Sequence, residues 1–263
     1  MTPGERRRQP VALVTGAASG IGAASAHLIM ANGGAGLAAI DRDAEGLQAL
    51  VAALPQPESA LAIPLDVTDE TAWAQAVDAM RGRFGRLDWV VASAGVTLSA
   101  SITEMRLEDW RRVLAINLDG VFLTLRATLP LMRAGGQGGS VVVVSSAAAV
   151  KAEPGVGAYG ASKAGALHLA KVAAKEGAPD GIRVNALLPG GVKTPIWRGL
   201  PLFRQLVEEH GSERAAFDAL AAMATPLGRY ATAEEAATLV LFLLRDAPTV
   251  TGAALVADGG YTL

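Results

Sequence analysis

The feature that most constrains the fold is a glycine-rich segment that directly follows a short apolar run. Residues 11–14 read Val-Ala-Leu-Val, residues 15–22 read Thr-Gly-Ala-Ala-Ser-Gly-Ile-Gly, and a helix-like stretch follows over residues 23–31. A strand, a glycine turn and a helix in this order favour a phosphate site, because glycine lets a ligand approach the backbone and the helix N-terminus offers unpaired N–H groups. The alternative is a tight strand-to-helix turn that binds no ligand.

Apolar runs that predict strands recur along the chain and alternate with segments that predict helices. This alternation indicates an α/β fold, a Rossmann-like doubly wound parallel sheet of about seven strands with helices on both faces. Helices are predicted from the cap Thr68 to about Phe84, over residues 107–132 and over 234–245, and a small helical lid over residues 195–225. Because neither a linker nor a repeat is evident, residues 10–263 are predicted to form one domain after a flexible arm of residues 1–9. The remaining predicted strands are residues 36–40, 60–65, 87–92, 140–144, 183–188 and 250–256.

The composition excludes several classes of protein. Of the 263 residues, 51% are apolar and 18% charged, which is typical of a folded core, and the net charge of −2 offers no basic surface for a nucleic acid. The chain has no cysteine, and its three histidines have no spacing that suggests a metal site. The apolar runs are too short to span a bilayer, and the first ten residues do not resemble a signal peptide. We therefore expect a cytoplasmic protein with no membrane, metal or nucleic-acid partner, and the alanine-rich, apolar composition favours a homo-oligomer.

An acidic residue ends the second predicted strand. Because ligands of doubly wound sheets bind at the carboxyl ends of the strands, Asp41 can accept hydrogen bonds from the adenosine ribose of a dinucleotide and repel a 2′-phosphate. Asp41 therefore favours NAD over NADP, whereas the adjacent Arg42 could stack on adenine or accept the phosphate. The alternative is that Asp41 is a loop carboxylate or a helix cap, although Asp43 is the better candidate for the cap.

Tyr159 and Lys163 form the candidate catalytic pair. Positions i and i+4 of a helix share one face, so the Lys163 ammonium can lie beneath the Tyr159 hydroxyl. A neighbouring cation stabilises the phenolate, and we therefore expect the pKa of Tyr159 to lie below its ordinary value. Such pairs also arise by chance on helix surfaces. Asn117 has apolar neighbours, which is typical either of a satisfied core residue or of a functional kink, and both interpretations stay open.

Taken in order along the chain, these motifs resemble the short-chain dehydrogenase/reductase family from about Pro10 to Leu263. The family's catalytic tetrad matches Asn117, Ser146, Tyr159 and Lys163, and Ser146 is preferred to Ser145 because it lies thirteen residues before Tyr159, the usual family interval. Ser93 departs from the pattern, since the family usually has asparagine there. The cofactor-binding residues that the resemblance implies are Gly16, Ser19, Gly20, Ile21, Gly22, Asp41, Arg42, Asp66, Val67, Ser93, Ala94, Gly95, Tyr159, Lys163, Pro189, Gly190, Val192 and Thr194.

The resemblance also implies a mechanism. Ser146 would hold the substrate oxygen while Tyr159 exchanges a proton with it and hydride passes between the substrate carbon and NAD. Lys163 would lower the Tyr159 pKa and bind the nicotinamide ribose, and Asn117 would position a water. No metal is needed for this reaction, because Tyr159 and Ser146 together polarise the carbonyl.

The nature of the small-molecule substrate stays open. The expected pocket walls are mostly apolar, which favours a hydrophobic or medium-sized secondary alcohol or ketone. Lys151, Lys193 and Arg198 are close enough in sequence that a carboxylated substrate is a further option. The expected substrate contacts are Thr97, Ala148, Val156, Ile196 and Trp197.

Two other functions compete with this interpretation. An NADPH-dependent reductase of 3-oxoacyl chains on a carrier protein would need a basic residue near the adenosine 2′ position, for which Arg42 is the sole candidate. A non-catalytic nucleotide sensor or scaffold would need only the glycine loop, so the intact tetrad argues against it. The common assembly in the family is a homotetramer.

Overall fold

The structure, a computed structural model of the chain, describes residues 9–263, and the predicted arm of residues 1–9 therefore lies outside the described residues except for Gln9. Seven parallel strands form one sheet in the order β3-β2-β1-β4-β5-β6-β9, and two short strands, β7 and β8, pair separately. The strands are β1 Val11–Thr15, β2 Gly36–Asp41, β3 Ala60–Pro64, β4 Trp89–Ala92, β5 Gly139–Val144, β6 Ile182–Pro189, β7 Val192–Lys193, β8 Ala231–Thr232 and β9 Ala254–Ala257.

Helices cover both faces of the sheet. They are α1 Gly20–Ala31, α2 Ala44–Ala53, α3 Glu70–Phe84, α4 Leu107–Leu114, α5 Gly120–Gly135, α6 Gly157–Gly177, α7 Pro201–His210, α8 Glu213–Ala224 and α9 Ala233–Leu241. Residues from α3, α5 and α6 share one hydrophobic core, and residues from α1, α2 and α9 share the other.

The strands read as continuous apolar runs because both of their faces are buried. In β1, Val11 and Leu13 belong to one core while Ala12 and Val14 belong to the other, as the two-residue period of a strand requires. The strand order reverses between β1 and β4, and a crevice opens at such a point outside the carboxyl ends of the strands. The predicted doubly wound fold is therefore confirmed, and the glycine loop lies at the crevice.

The helix predicted over residues 107–132 is interrupted. The stretch Leu107–Gly135 is helical, but Ala115–Asp119 winds as a π-helix between α4 and α5. A single π turn inserts an extra residue and changes the direction of the side chains on it, and such turns are frequent at functional sites. By length and composition this stretch could cross a membrane, yet half of its most apolar window is buried against the sheet and neighbouring helices. Its buried apolar residues in α5 belong to the hydrophobic core on one face of the sheet.

Two predicted boundaries were wrong for identifiable reasons. The N-cap of α3 is Asp69, whose carboxylate accepts the Thr71 and Ala72 N–H groups, and not Thr68, which donates to Asp66 instead. The last strand begins at Ala254 rather than at Val250, because the Val250 carbonyl accepts hydrogen bonds from the Asn185 and Arg183 side chains.

The predicted lid consists of a 3₁₀ turn, Pro195–Gly199, followed by α7 and α8. It packs around its own aromatic cluster, apart from the two cores of the sheet. We call this the lid cluster: Trp197, Phe203, Phe217 and Tyr230.

Candidate active site

One cavity of about 550 Å³ lies at the carboxyl ends of the strands, and it is lined by residues from the glycine loop, the strand ends, α6 and the lid. It brings together every predicted cofactor, catalytic and substrate residue except Gly22 and Asn117. Motifs from Gly16 to Trp197 therefore meet at one place, as the carboxyl-end rule for parallel sheets requires.

The glycine loop has the shape of a cradle for an anion. Gly16 and Gly20 have φ angles of +68° and +54°, which side chains disfavour. A Cβ on Gly22 would lie 2.0 Å from the Gly16 carbonyl oxygen, so Gly22 allows α1 to pack on the loop rather than lining the cavity. Ser19, the N-cap of α1, makes no side-chain cap bond, which leaves the first N–H groups of the helix facing the loop. These residues fit a pyrophosphate at a helix N-terminus.

Asp41 ends β2 and Asp66 follows β3, on the side of β1 that faces away from β5 and the tetrad. The Asp41 carboxylate accepts the Ala18 N–H at 3.1 Å and the Asp43 N–H at 3.0 Å, so it also fixes the glycine loop against β2. Asp43 caps α2 through the Gly46 N–H, as predicted.

Arg42 lies close enough to Asp66 to influence its ionisation. The Thr68 N–H, then the Thr68 hydroxyl and the Arg42 guanidinium, hold the pKa of Asp66 below its ordinary value against the opposing effect of partial burial. Asp41, Arg42 and Asp66 all line the cavity, where an adenosine would contact them.

The N-terminal half of α6 carries the candidate acid–base pair. Tyr159 and Lys163 lie one turn apart, with the Lys163 Nζ 5.8 Å from the centre of the Tyr159 ring. Lys163 is 4% exposed, and its ammonium donates to the Val144 carbonyl at 3.0 Å. The end of β5 thereby holds the cation against the tyrosine.

Ser146 and Ser145 follow β5 but have different surroundings. Ser145 Oγ donates to the Lys163 carbonyl at 2.8 Å, so its hydroxyl is engaged in packing β5 on α6. Ser146 lines the cavity and lies within hydrogen-bonding reach of Tyr159, while its Oγ accepts the Ala148 N–H at 3.2 Å. The Ser146 hydroxyl is therefore available to a molecule bound in the cavity.

The expected depression of the Tyr159 pKa is not what the structure gives. Burial raises the pKa of Tyr159, and the hydrogen bond with Ser146 offsets this only in part. Burial also lowers the pKa of Lys163 to about 8. Both shifts have one main cause, since removing either group from water disfavours its charged form.

Asn117 does not line the cavity. It is 0% exposed, its Oδ1 accepts the Val96 N–H at 2.8 Å, and its Nδ2 donates to the Val96 carbonyl and to Ser162 Oγ. Ser162 in turn donates to the Tyr159 carbonyl. Asn117 is therefore a satisfied core residue, and it lies in a π-helical turn and ties the loop after β4 to α6.

Thr194 and Val192, which were predicted to contact the cofactor, have defined neighbours. The Thr194 methyl lies over Gly20, 3.3 Å from where a Cβ on that glycine would be. The Val192 carbonyl accepts the indole N–H of Trp197 at 2.8 Å, which fastens the lid to β7. Ser93 and Ala94 donate their N–H groups to Thr15 Oγ1, so backbone bonds support this loop.

Sequence reasoning missed several residues that line the cavity. Gly191 had a visible signal, as the third residue of a Pro-Gly-Gly sequence, and Tyr261 directly follows the Asp258-Gly259-Gly260 sequence, whereas Tyr230 follows no such motif and reaches the cavity through tertiary packing. The missed residues include Leu200, Thr225, Tyr230 and Tyr261.

Known proteins resemble this chain over nearly its whole length. A family model described as enoyl-(acyl carrier protein) reductase matches residues 16–262. The cis-4-hydroxycyclohexanecarboxylate dehydrogenase of Sinomonas cyclohexanicum is 41% identical over 98% of this chain and 99% of its own length. The D-threitol dehydrogenase of Mycolicibacterium smegmatis is 42% identical over 96% of this chain and 93% of its own.

A solved structure agrees in fold as well as in sequence. The crystal structure of carveol dehydrogenase from Mycobacterium avium in complex with NAD superposes with a TM-score of 0.88 at 32% identity, over 97% of this chain and 98% of that one. The sheet order, the glycine loop and the Tyr159–Lys163 pair are thus found in a chain whose relatives are dehydrogenases. The protein therefore belongs to the short-chain dehydrogenase/reductase family and is an NAD(P)-dependent oxidoreductase.

Proposed function

We propose that Tyr159 is the general acid and base of a reaction that transfers hydride between NAD(H) and a secondary alcohol or ketone. One observation carries the proposal: Tyr159, Ser146 and Lys163 line the same cavity as the glycine loop and Asp41. A dinucleotide cradled by Gly16 and Gly20 would extend along the strand ends toward α6.

In this mechanism Ser146 donates a hydrogen bond to the substrate oxygen and holds it against the Tyr159 hydroxyl. Tyr159 gives its proton to that oxygen in reduction and removes it in oxidation. When bound, the nicotinamide supplies or accepts the hydride. Because burial raises the Tyr159 pKa, the tyrosine holds its proton at neutral pH, which favours ketone reduction there and alcohol oxidation at alkaline pH.

Lys163 and Asn117 position the acid. Lys163 would bind the nicotinamide ribose, and its ammonium, which has a pKa of about 8, would stabilise the phenolate that forms when Tyr159 loses its proton. Asn117 holds α6 through Ser162, and it would position a water for proton exchange with Lys163. Val192 and Thr194 would contact the carboxamide of the cofactor.

NAD is the preferred cofactor in this proposal. The Asp41 carboxylate lines the cavity where the adenosine ribose would lie, and a 2′-phosphate would meet its negative charge. The carveol dehydrogenase structure was solved with NAD. Arg42 is the residue that would support NADP binding, but its positive charge already stabilises the Asp66 carboxylate.

The proposed substrate is a small hydroxylated molecule. The named relatives act on 4-hydroxycyclohexanecarboxylate and D-threitol, both of which carry an alcohol. The cavity near Tyr159 is bounded by side chains that are mostly apolar, and these are Thr97, Ala148, Val156, Ile196 and Trp197. A reductase of 3-oxoacyl chains on a carrier protein is the second candidate, favoured by Arg42 and by the carrier-protein substrate in the family model's description, which itself names an enoyl reduction.

The remaining parts of the proposal concern the protein as a whole. Residues 10–263 act as one catalytic domain, and residues 1–9 as an arm. The protein works in the cytoplasm as a homo-oligomer, a tetramer or a dimer. A non-catalytic sensor is disfavoured, because it would have no use for the set Asn117, Ser146, Tyr159 and Lys163.

The test is cofactor turnover with a panel of secondary alcohols and ketones, using NAD(H) and NADP(H) side by side and Tyr159→Phe as the blank. Turnover with NAD that is lost in Tyr159→Phe is the expected result. A clear preference for NADP(H) together with 3-oxoacyl substrates would favour the second candidate. Tight NADH binding without any turnover would contradict the catalytic proposal.

A further inference from the structure

Tyr230 occupies a distinctive position in the wall of the cavity. It is 6% exposed, and its ring stacks on Trp197 at 5.3 Å between centroids and meets Phe217 edge-on at 6.4 Å. Gly191 allows this packing, because a Cβ there would lie 2.3 Å from the Tyr230 ring. The ring is therefore fixed between the lid and the loop that follows β6.

The Tyr230 hydroxyl has no partner within residues 9–263. Neither a side chain nor a backbone group in that part of the chain is hydrogen-bonded to it, although the residue is more than nine-tenths buried and lines the cavity. The hydroxyl oxygen itself stays accessible from the cavity, because Ser25 Oγ is the one side-chain polar atom of residues 9–263 that is both fully buried and without a partner. Because the ring cannot swing away from Trp197 and Gly191, a group in the cavity is the available partner.

The charges around this end of the cavity are already paired. Lys151 donates to the Tyr261 carbonyl at 2.6 Å and lies 3.4 Å from Glu153. Lys193 is paired with Asp218 at 3.1 Å and Arg198 with Glu213 at 2.7 Å. Among the described residues that line the cavity, the cations are Arg42 at the adenosine end and Lys163 beside Tyr159.

Tyr261, a second tyrosine that lines the cavity near Tyr230, lies in the same environment. Burial, then Glu153, and to a lesser degree Tyr230 and Asp258, raise the pKa of Tyr261 to about 12. An anion near Tyr261 would meet Glu153, and the ammonium over that ring, Lys151 Nζ at 3.9 Å from its centre, is already paired with Glu153. A neutral group that accepts or donates a hydrogen bond would meet no such penalty.

We propose that Tyr230 determines specificity by hydrogen-bonding a second, uncharged polar group of the substrate, so that the enzyme prefers diols or hydroxyketones to simple alcohols and to hydroxycarboxylates. This inference rests on the proposed function, since it names the substrate class of the same site. Tyr230 would contact the substrate away from the reacting carbon, whereas Ser146 and Tyr159 contact the reacting oxygen.

The test compares matched substrates on the wild type and on Tyr230→Phe, which retains the ring and its packing. The substrates are cyclohexanol, the cyclohexane-1,2-, 1,3- and 1,4-diols, and 4-hydroxycyclohexanecarboxylate, each as separate isomers with NAD. We expect kcat/KM for the best diol to exceed that for cyclohexanol by about tenfold, the size of one hydrogen bond to a buried group.

Tyr230→Phe is expected to abolish this ratio, mainly through KM for the diol. Tyr261→Phe is the matched control, because that hydroxyl already interacts with Glu153, and it should retain the ratio.

Three results would overturn the inference. They are a diol-to-cyclohexanol ratio that Tyr230→Phe leaves intact, a ratio near one in the wild type, and a kcat/KM for the carboxylate above that for every diol. Failure of the proposed function looks different, because all the alcohols would then be inert in the wild type and Tyr159→Phe would change nothing. That outcome would remove the inference together with the function on which it rests.

Discussion

The glycine loop and the lid face each other across the same cavity, but they are held in different ways. The glycine loop is fixed by a close backbone contact and by one carboxylate: Gly22 packs directly on the Gly16 carbonyl, and Asp41 at the end of β2 accepts the Ala18 N–H of the loop. The lid is held by the lid cluster, by the two-residue pairing of β7 with β8, and by the Trp197 bond to Val192.

The two sides of the cavity are therefore suited to different tasks, cofactor binding at the glycine loop and substrate binding at the lid. The cofactor side must present N–H groups and Tyr159 at fixed positions, and elements buried in the two cores of the sheet do so rigidly. The lid has a small core of its own, so it can be altered without disturbing the sheet, and local openings of such regions require less free energy than global unfolding. Four predictions test this separation.

The largest effect is expected on the cofactor side of the cavity, which the elements of the sheet hold rigidly. Tyr159→Phe removes the proton donor but retains the ring beside Lys163, and kcat should fall by about 1000-fold, within the usual range for a lost general acid. NADH affinity, measured by fluorescence titration, should stay near the wild-type value. Residual turnover above about one-tenth of wild type would remove Tyr159 from the acid–base role.

The next largest effect is expected in the lid. Phe217→Ala empties the middle of the lid cluster, and a truncated buried phenylalanine typically destabilises its surroundings by about 3–5 kcal/mol. Hydrogen exchange of α7 and α8 should accelerate by about 100-fold or more while the strands of the sheet keep their protection. KM for the substrate should rise more than the Kd for NADH. The matched control is Leu202→Ala in the same lid, since Leu202 is 60% exposed; equal acceleration in both variants, or loss of protection in the sheet, would contradict the separation.

The third prediction concerns Lys163 and pH. Its pKa is lowered from 10.5 to about 8 in the folded protein, so below pH 8 the folded and unfolded chains both carry the proton and the folded state bears the full penalty of burying it. Between about pH 8 and 10 the unfolded chain binds more protons, and this raises the free energy of unfolding by about 2 kcal/mol. Lys163→Met should lack this rise. Chemical denaturation of both proteins at several pH values measures it, and parallel curves would show that Lys163 is not buried as a cation.

The smallest effect is expected for cofactor choice. Asp41→Ala removes the carboxylate that we propose repels a 2′-phosphate, and the ratio of kcat/KM for NAD to that for NADP should fall by about tenfold. Asp43→Ala is the matched control: it removes the cap of α2, which should lower stability by about 1 kcal/mol without changing the ratio. An unchanged ratio in Asp41→Ala would show that Asp41 does not select the cofactor.

Much of the rigid side could be predicted from local patterns. The run at residues 11–14 is apolar because β1 is buried on both faces, and the glycines that follow are required by a backbone contact within a few residues. The family resemblance supplied Asn117, Ser146, Tyr159 and Lys163 in order, and the comparisons confirm the family. Their individual roles stay predictions.

Other features depended on distant parts of the chain. The π-helical turn at Asn117 is stabilised by Val96 and Ser162, which no local pattern connects to it. The direction of the Tyr159 pKa shift was predicted wrongly, because the neighbouring lysine is visible in the sequence whereas the extent of burial is not.

Local patterns were enough to predict the alternation of strands and helices, the glycine loop and the candidate acid–base pair, because each depends on residues within one or two turns of each other. The fold was needed to show that Tyr230 lines the cavity, that Asn117 contacts Val96, and that three cations are paired with carboxylates, namely Lys151, Lys193 and Arg198. Hydrogen bonds, burial and charge pairing across the fold depend on which distant segments meet. That in turn depends on packing over the whole chain rather than on any short stretch of it.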